Sequence, residues 1–303
     1  MNVVVVTGEL SHHKYLCVEL SKNHNVVGII HPQIAAGDRR NGLSRLVNRF
    51  RAYGVIHPIL NLMSRLPTGL SGWESRAEGR RVESSFFSAS VRDYETLDHR
   101  LVHRGVNVNS AAALELMDDC GPDVVVCLGG PVYPKTFIQS APLMLNYHSG
   151  FSPLYNGASC VQFAFANGHP HLCGGTLMRI NVVVDGGDIL GHYLPEVEAT
   201  DTPATLFMKT VRAAALMYDR ILRHFEQKGP LFSAVPQTRP VFYYRGIDWT
   251  IYHTQMVRRH LRRKSAAKFL RPERVIEYWK NSDHETAKLV YQTTISQLLC
   301  DHL

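Results

Sequence analysis

Residues 3–6 are four consecutive valines that stop at Thr7-Gly8. A run with no polar alternation offers no face to water, so it suits a strand buried on both sides, as in a parallel sheet. The same signature recurs in N-V-V-G-I-I (25–30), D-V-V-V-C-L-G-G (123–130) and L-M-L-N-Y-H (143–148). Between the first two runs, an amphipathic stretch from about Ser11 to Ser21 completes a βαβ unit, whose crossover is expected to be right-handed. Asn109 and Ser110 predict a cap for a helix over 111–119, which Gly121-Pro122 stop, and a short helix is expected over 134–140. The alternation predicts an α/β fold: a doubly wound, Rossmann-like, mostly parallel sheet. Ligands of such sheets bind beyond the carboxyl ends of the strands.

The pattern then changes. Apolar runs at 175–180 and 189–194 flank N-V-V-V-D-G-G-D (181–188). Asp185-Gly186-Gly187 between them predicts a β-hairpin extension, because glycine accepts the positive φ of a tight turn. Thr202 and Pro203 begin a long helix with Val211, Ala214, Tyr218, Ile221, Leu222 and Phe225 on one face, ended by Gly229-Pro230. Residues 251–303 read as a helical C-terminal tail. The expected division is a catalytic domain over 1–250, with a variable insertion at 31–100, and a C-terminal helical segment over 251–303. A chain cut near residue 250 is expected to keep a folded site. Within the insertion, 43–51 has helical spacing with arginines on one face, and 66–72 reads as loop.

Hydrophobic residues make up 45% of the 303 and charged residues 19%, which admits a sizeable core and excludes global disorder. The net charge is +7, but R-R-H-L-R-R-K (258–264) carries five of those charges, so the basicity is local. Either a solvated helix face or an anion-binding patch accounts for it. The start has no basic leader, and no apolar stretch approaches the roughly 18 residues of a spanning helix. The six cysteines are scattered without a C-x-x-C pair and read as reduced core thiols. Cytoplasmic location, no membrane span and no metal are the expectations.

The densest motif is L-N-Y-H-S-G-F-S-P-L-Y-N-G (145–157). Residues two apart on a strand face the same way, so Asn146 and His148 project together at the strand's open end. Taken alone, the pair also fits a locally capped strand end. The longer pattern N-x-H-x-G-x-x-P-x-Y-x-G, with Asp185 of V-D-G-G-D-I-L 37 residues beyond His148, resembles the folate-dependent formyltransferases. The likeness is clear over about residues 120–210 and looser in the first strands.

The resemblance implies a reaction. A neutral amine attacks the formyl carbon of N10-formyltetrahydrofolate, and Asn146, His148 and Asp185 fall on the family's catalytic positions. An amide and an imidazole N–H suit the oxyanion of the tetrahedral intermediate, and a carboxylate suits proton transfer to the leaving nitrogen. The folate is expected against Leu128, Gly129, Gly130 and Val132, and against the backbone of 181–185 at Val184.

Ser152 and Asn156 depart from the family's usual leucine and basic residue, which touches loop packing rather than the chemistry. T-G-E-L-S-H-H-K (7–14) is not the glycine-rich phosphate loop of the glycinamide ribonucleotide enzyme. The short helical-looking tail differs from the β-barrel of the methionyl-tRNA enzyme. The sugar N-formyltransferases are the closest type, since Q-T-R-P-V-F-Y-Y-R-G-I-D-W (237–249) resembles their Gln…Tyr…Asp-Trp stretch. That branch implies a small-molecule partner, the amine of a nucleotide-linked amino sugar, rather than nucleic acid. Tyr244 and Trp249 would stack a ring, and His12, His13, Lys14 and Arg245 would meet a diphosphate; ordinary core packing is the alternative for the aromatics. Pairing through the C-terminal half, common in such enzymes, leaves room for a homodimer. Competing readings are another acceptor amine (a siderophore hydroxyornithine or an aminoacyl group), an inactive folate-binding protein, and a nucleic-acid binder using 258–264.

Overall fold

The computed structural model of the chain describes residues 1–33, 52, 54–64, 73–229 and 232–300. The expected 43–51 helix and 66–72 loop lie outside them. The strands are β1 (Asn2–Thr7), β2 (Asn25–Pro32), β3 (Val102–Val106), β4 (Val124–Leu128), β5 (Met144–His148), β6 (Tyr155–Gly157), β7 (Gly175–Arg179), β8 (Ile189–Leu194), β9 (Phe242–Tyr244) and β10 (Arg274–Glu277). Eight of them form one sheet in the order β10-β8-β7-β5-β4-β1-β2-β3. The five from β5 to β3 run parallel, and β7, β8 and β10 pair antiparallel beyond β5.

The valine run explains the layering. Val3 and Val5 pack into one core with Leu16, Cys17 and Leu20 of α1 (Ser11–Asn23) and the buried face of α7 (Pro203–Lys228). Val4 and Val6 pack into the opposite core with Met117 of α4 (Ala111–Cys120) and Phe137 of α5 (Lys135–Ile138). The sheet is doubly wound because successive strand residues face opposite helical layers. Ser110 Oγ caps α4 by accepting from Ala113 N at 3.3 Å, and Gly121 ends it in the left-handed region. Thr202 and Thr205 cap α7 reciprocally.

The 31–100 region contributes more than an insertion. After the end of β2 it supplies α2 (Ile56–Met63) and α3 (Trp73–Tyr94). Phe87 of α3 is fully buried against Met208 and Val211 of α7. The Tyr94 hydroxyl donates to His31 Nε2 at 2.6 Å, while His31 Nδ1 donates to Thr7 O at 2.8 Å. This chain of bonds ties α3 to the carboxyl ends of β1 and β2.

The hairpin forms as β7–β8, with one difference from expectation. The left-handed backbone falls on Asp185 (φ 52°) and on neither of the glycines that follow. The tail is mostly helical, with α8 (Ile251–Arg262) and α9 (His284–Cys300), but β10 extends the main sheet along β8. A run rich in Arg and Lys masks such an edge strand, since only Val275 and Ile276 carry its pattern. All six cysteines are unpaired: Cys17, Cys127, Cys160 and Cys173 are buried, Cys120 is half-buried and Cys300 is exposed. Among the described residues no helix is long and apolar enough to cross a membrane, and no cluster of three His, Cys, Asp or Glu is placed to hold a metal.

Candidate active site

β5 enters the site with its register set on both sides, by β4 and by β7. Leu145 and Tyr147 face the α1/α7 core, where the Tyr147 hydroxyl donates to Thr210 O at 2.9 Å. Asn146 and His148 therefore share the other face. Residues 180–188 leave the sheet beside Leu145 and fold back over that face. Asp185 Oδ1 thereby comes 3.5 Å from His148 Nδ1, with both side chains almost wholly buried.

The fold-back is held by the end of the 145–157 motif. Asn156 Nδ2 donates to Asp185 O at 3.1 Å, and the Gly157 N–H donates to Asp185 Oδ2 at 3.2 Å. Asn156 thus bears on the carboxylate's position, although as a departure from the family pattern it read as loop packing. Within the turn, Asn181 Nδ2 donates to Gly186 O and its Oδ1 accepts from Val183 N. On its other side His148 faces Cys160 Sγ, 3.4 Å from Nε2, and burial pushes that thiol's pKa up, which keeps it a neutral thiol. The contact from Nδ1 to Asp185 is longer than a strong hydrogen bond.

A cavity of about 370 Å³ brings these groups together. It is lined by Asn146, His148 and Asp185, by Leu128, Gly129, Gly130 and Val132, by Val184, and by His12 and His13. Gly129 and Gly130 both have positive φ (69° and 119°), which leaves the strand end open for a ligand to lie along backbone. Val132, Val182, Val183 and Val184 are exposed by 48–68% at its mouth and form an apolar wall.

A second cavity of about 910 Å³ adjoins the first, sharing His12, Ser159 and Phe207 with it. Its walls include Trp249, Met208, Leu261, Gln162 and Arg258, with Glu78, Arg80 and Glu83 from α3. Trp249 belongs to this cavity, its indole N–H donating to Thr254 Oγ1 at 3.1 Å and its carbonyl accepting from Asn61 at 2.6 Å.

Of the other residues expected at the acceptor, His12 and His13 line the first cavity, whereas Lys14, Tyr244 and Arg245 line neither. Lys14 pairs with Glu95 at 2.9 Å over the Tyr94 ring and lines neither cavity. Tyr244 pairs with Gly157 in the β6–β9 ladder and stacks flat on Phe163 at 3.8 Å, bracing the motif loop from behind. Arg245 is exposed, and its N–H donates to Asp248 Oδ2 at 2.7 Å. His13 reaches the cavity as a neutral ring: Nδ1 accepts from Leu10 N, and burial with the neighbouring His12 lowers its pKa to about 3. It can donate from Nε2 but does not supply a charge.

Residues 88–222, which contain Asn146, His148 and Asp185, match the formyl transferase family. The chain is 33% identical over 125 residues to a methionyl-tRNA formyltransferase of a Nitratiruptor species, covering 41% of each protein. It is 35% identical over 108 residues to the methionyl-tRNA formyltransferase of Campylobacter fetus, covering 36% of this chain and 34% of the relative. The match therefore spans less than half the length of these curated relatives. A solved structure from Mycobacterium tuberculosis, described as an uncharacterised candidate sugar N-formyltransferase, is similar with a TM-score of 0.50 at 14% identity over 84% of each chain. At that identity the likeness concerns the fold. The resemblance carried by the 145–157 motif is borne out at the level of family and fold.

Proposed function

We propose, on the premise that residues 88–222 belong to the formyl transferase family, that this protein transfers a formyl group from N10-formyltetrahydrofolate to an amine, and that the amine belongs to a nucleotide-linked amino sugar. The observation that carries the reading is the 3.5 Å approach of Asp185 to His148, across a cavity that Asn146 also lines. The folate supplies an activated formyl carbon and a nitrogen leaving group. The chain's residues supply the rest. The Asn146 amide donates to the oxyanion that forms when the amine adds. His148 reinforces it, turned from Cys160 toward the ligand. Asp185, held by Asn156 and the Gly157 N–H, takes the proton that the attacking nitrogen must lose and passes it to the folate nitrogen as the bond from that nitrogen to the formyl carbon breaks.

The second cavity supports a small-molecule acceptor. About 910 Å³ lies within the range of small-ligand sites, and the cavity shares His12, Ser159 and Phe207 with the first. Methionyl-tRNA is the second reading, favoured by the names of the curated relatives. A mass-spectrometric assay separates them. The protein is incubated with N10-formyltetrahydrofolate and either a panel of nucleotide-linked amino sugars or methionyl-tRNA. Formylated sugar nucleotide, lost by roughly 10²–10³-fold in Asn146→Ala and His148→Ala, is expected. Formylated methionyl-tRNA alone would replace the acceptor, and no formyl transfer to any amine would overturn the reading.

A further inference from the structure

The seam between the two cavities is built around His12. This buried side chain lines both spaces, and its ring is clamped by His13 (centroids 4.1 Å apart) and edge-on by Phe207 (5.8 Å). His12 Nδ1 lies 3.1 Å from Glu83 Oε1, which also accepts from Ser11 N at 3.0 Å. An ionised carboxylate only accepts hydrogen bonds, so Nδ1 carries the proton and a neutral His12 presents the lone pair of Nε2. Among the described residues Nε2 has no hydrogen-bond partner.

We propose that the acceptor enters through the 910 Å³ cavity as an alkylammonium and gives its proton to His12 Nε2, with Glu83 holding the ring for that transfer. This rests on the formyl-transfer reading and deepens it. A primary amine of a sugar is mostly ammonium at neutral pH and has no lone pair to attack with. Asp185 is placed to take a proton after attack, so the first proton needs another base. In the step, the ammonium N–H bond breaks, its electron pair stays on the amine, and the proton bonds to Nε2. The resulting imidazolium faces the Glu83 carboxylate, which stabilises it as a buried acid stabilises histidine in a hydrolase triad. The proton then leaves to solvent.

The surrounding charges are compatible. On α1 the adjacent His13 is neutral. From α3 come Glu83, Glu78 and Arg80, from α8 comes Arg258, and across the smaller cavity lie His148 and Asp185. The hydrogen bond from His12 lowers the Glu83 carboxyl, keeping it ionised. The ligand class is a primary alkylammonium on a body large enough to lie against Phe207, Met208, Trp249 and Leu261.

The test measures formylation of a nucleotide-linked amino sugar and of hydroxylamine, which is already neutral at neutral pH, by the full chain and by His12→Gln and Glu83→Gln. His12→Gln is expected to lose about a hundredfold in kcat/KM toward the amino sugar at neutral pH. The loss should shrink as pH rises toward the pKa of the amine, while the hydroxylamine rate stays within about twofold of wild type. Glu83→Gln should give a smaller loss with the same pH dependence. The hydroxylamine rate also reports folding of each variant. Equal losses on both acceptors, or pH profiles that match wild type, would overturn the role of His12 and leave formyl transfer standing. Absence of any formyl transfer by the wild-type chain would instead remove the premise, and the inference with it.

Discussion

Gly150 lies so close to His148 that no β-carbon fits between them: a methyl built there would overlap Nε2, come within 2.6 Å of Tyr155 O and sit 2.8 Å from Cys160 Cβ. The glycine of the N-x-H-x-G pattern is thus a consequence of how tightly the imidazole is packed. Gly150→Ala is expected to fold with a loss of about 1–3 kcal/mol from overpacking. Its turnover should fall far more than its stability suggests, because the ring that must move is His148, and a displacement near 1 Å can lower rate about 10²-fold. Thermal unfolding and kcat measured together check this; wild-type turnover would show that the ring tolerates the shift.

Asn156→Ala removes the side-chain donor to Asp185 O while leaving the Gly157 N–H on the carboxylate. One hydrogen bond accounts for about 1 kcal/mol of stability. The expected signature is a roughly tenfold lower kcat with folate binding within a few-fold of wild type, since the cavity wall at 128–132 is untouched. Asn156→Ser is expected to recover less than half of the loss, its hydroxyl being too short to span to residue 185. Unchanged kcat would mean that the Gly157 N–H alone fixes the carboxylate.

The parallel strands, their capped helices and the Asn146/His148 face were legible in sequence because each depends on local periodicity or on turn chemistry. Val3 to Val6 announce their burial on both faces, and Ser110, Gly121 and Thr202 announce helix ends. Asp185 was legible through its spacing within a family motif. Glu83 was not, because its meeting with His12 spans 71 residues and depends on how α3 docks, which no periodicity encodes. For the same reason Tyr244 and Lys14 were expected at the ligand. An aromatic or a lysine looks alike in sequence whether it faces a ligand or braces a loop; here Tyr244 stacks on Phe163 and Lys14 pairs with Glu95.

His192 provides an acid-sensitive link in the scaffold behind the motif. It is fully buried, and burial lowers its pKa from 6.5 to about 3. Its neutral form is satisfied: Nε2 donates to Ser152 O at 2.8 Å and Nδ1 accepts from the Tyr278 hydroxyl at 2.9 Å. The unfolded chain protonates this ring below about pH 6.5, whereas the folded protein resists until about pH 3. Its contribution is therefore complete above pH 6.5 and declines as pH falls through that window, with a slope on the order of 1.4 kcal/mol per pH unit. Denaturant unfolding between pH 7 and 4 should show His192→Gln losing stability less steeply with acid than wild type, whatever its absolute stability. Parallel curves would mean that the folded ring protonates with the unfolded one.

The C-terminal segment packs as part of the main body. β10 covers the edge of β8 from Arg274–Leu194 to Glu277–Gly191. Trp279 is 1% exposed and joins the core that also holds Val3, Leu16 and Tyr218, and the fully buried Tyr278 donates to His192. Removing residues 251–303 would strip two large buried aromatics, each worth about 3–5 kcal/mol, and leave an unpaired strand edge. Against a typical total of about 5–15 kcal/mol, that loss is expected to unfold or aggregate the remainder. Trp279→Ala alone should lower stability by about 3–5 kcal/mol while leaving kcat of the folded fraction near wild type, since Trp279 lines neither cavity. A soluble chain ending at residue 250, with native circular dichroism and intact folate binding, would show that the sheet closes without β10.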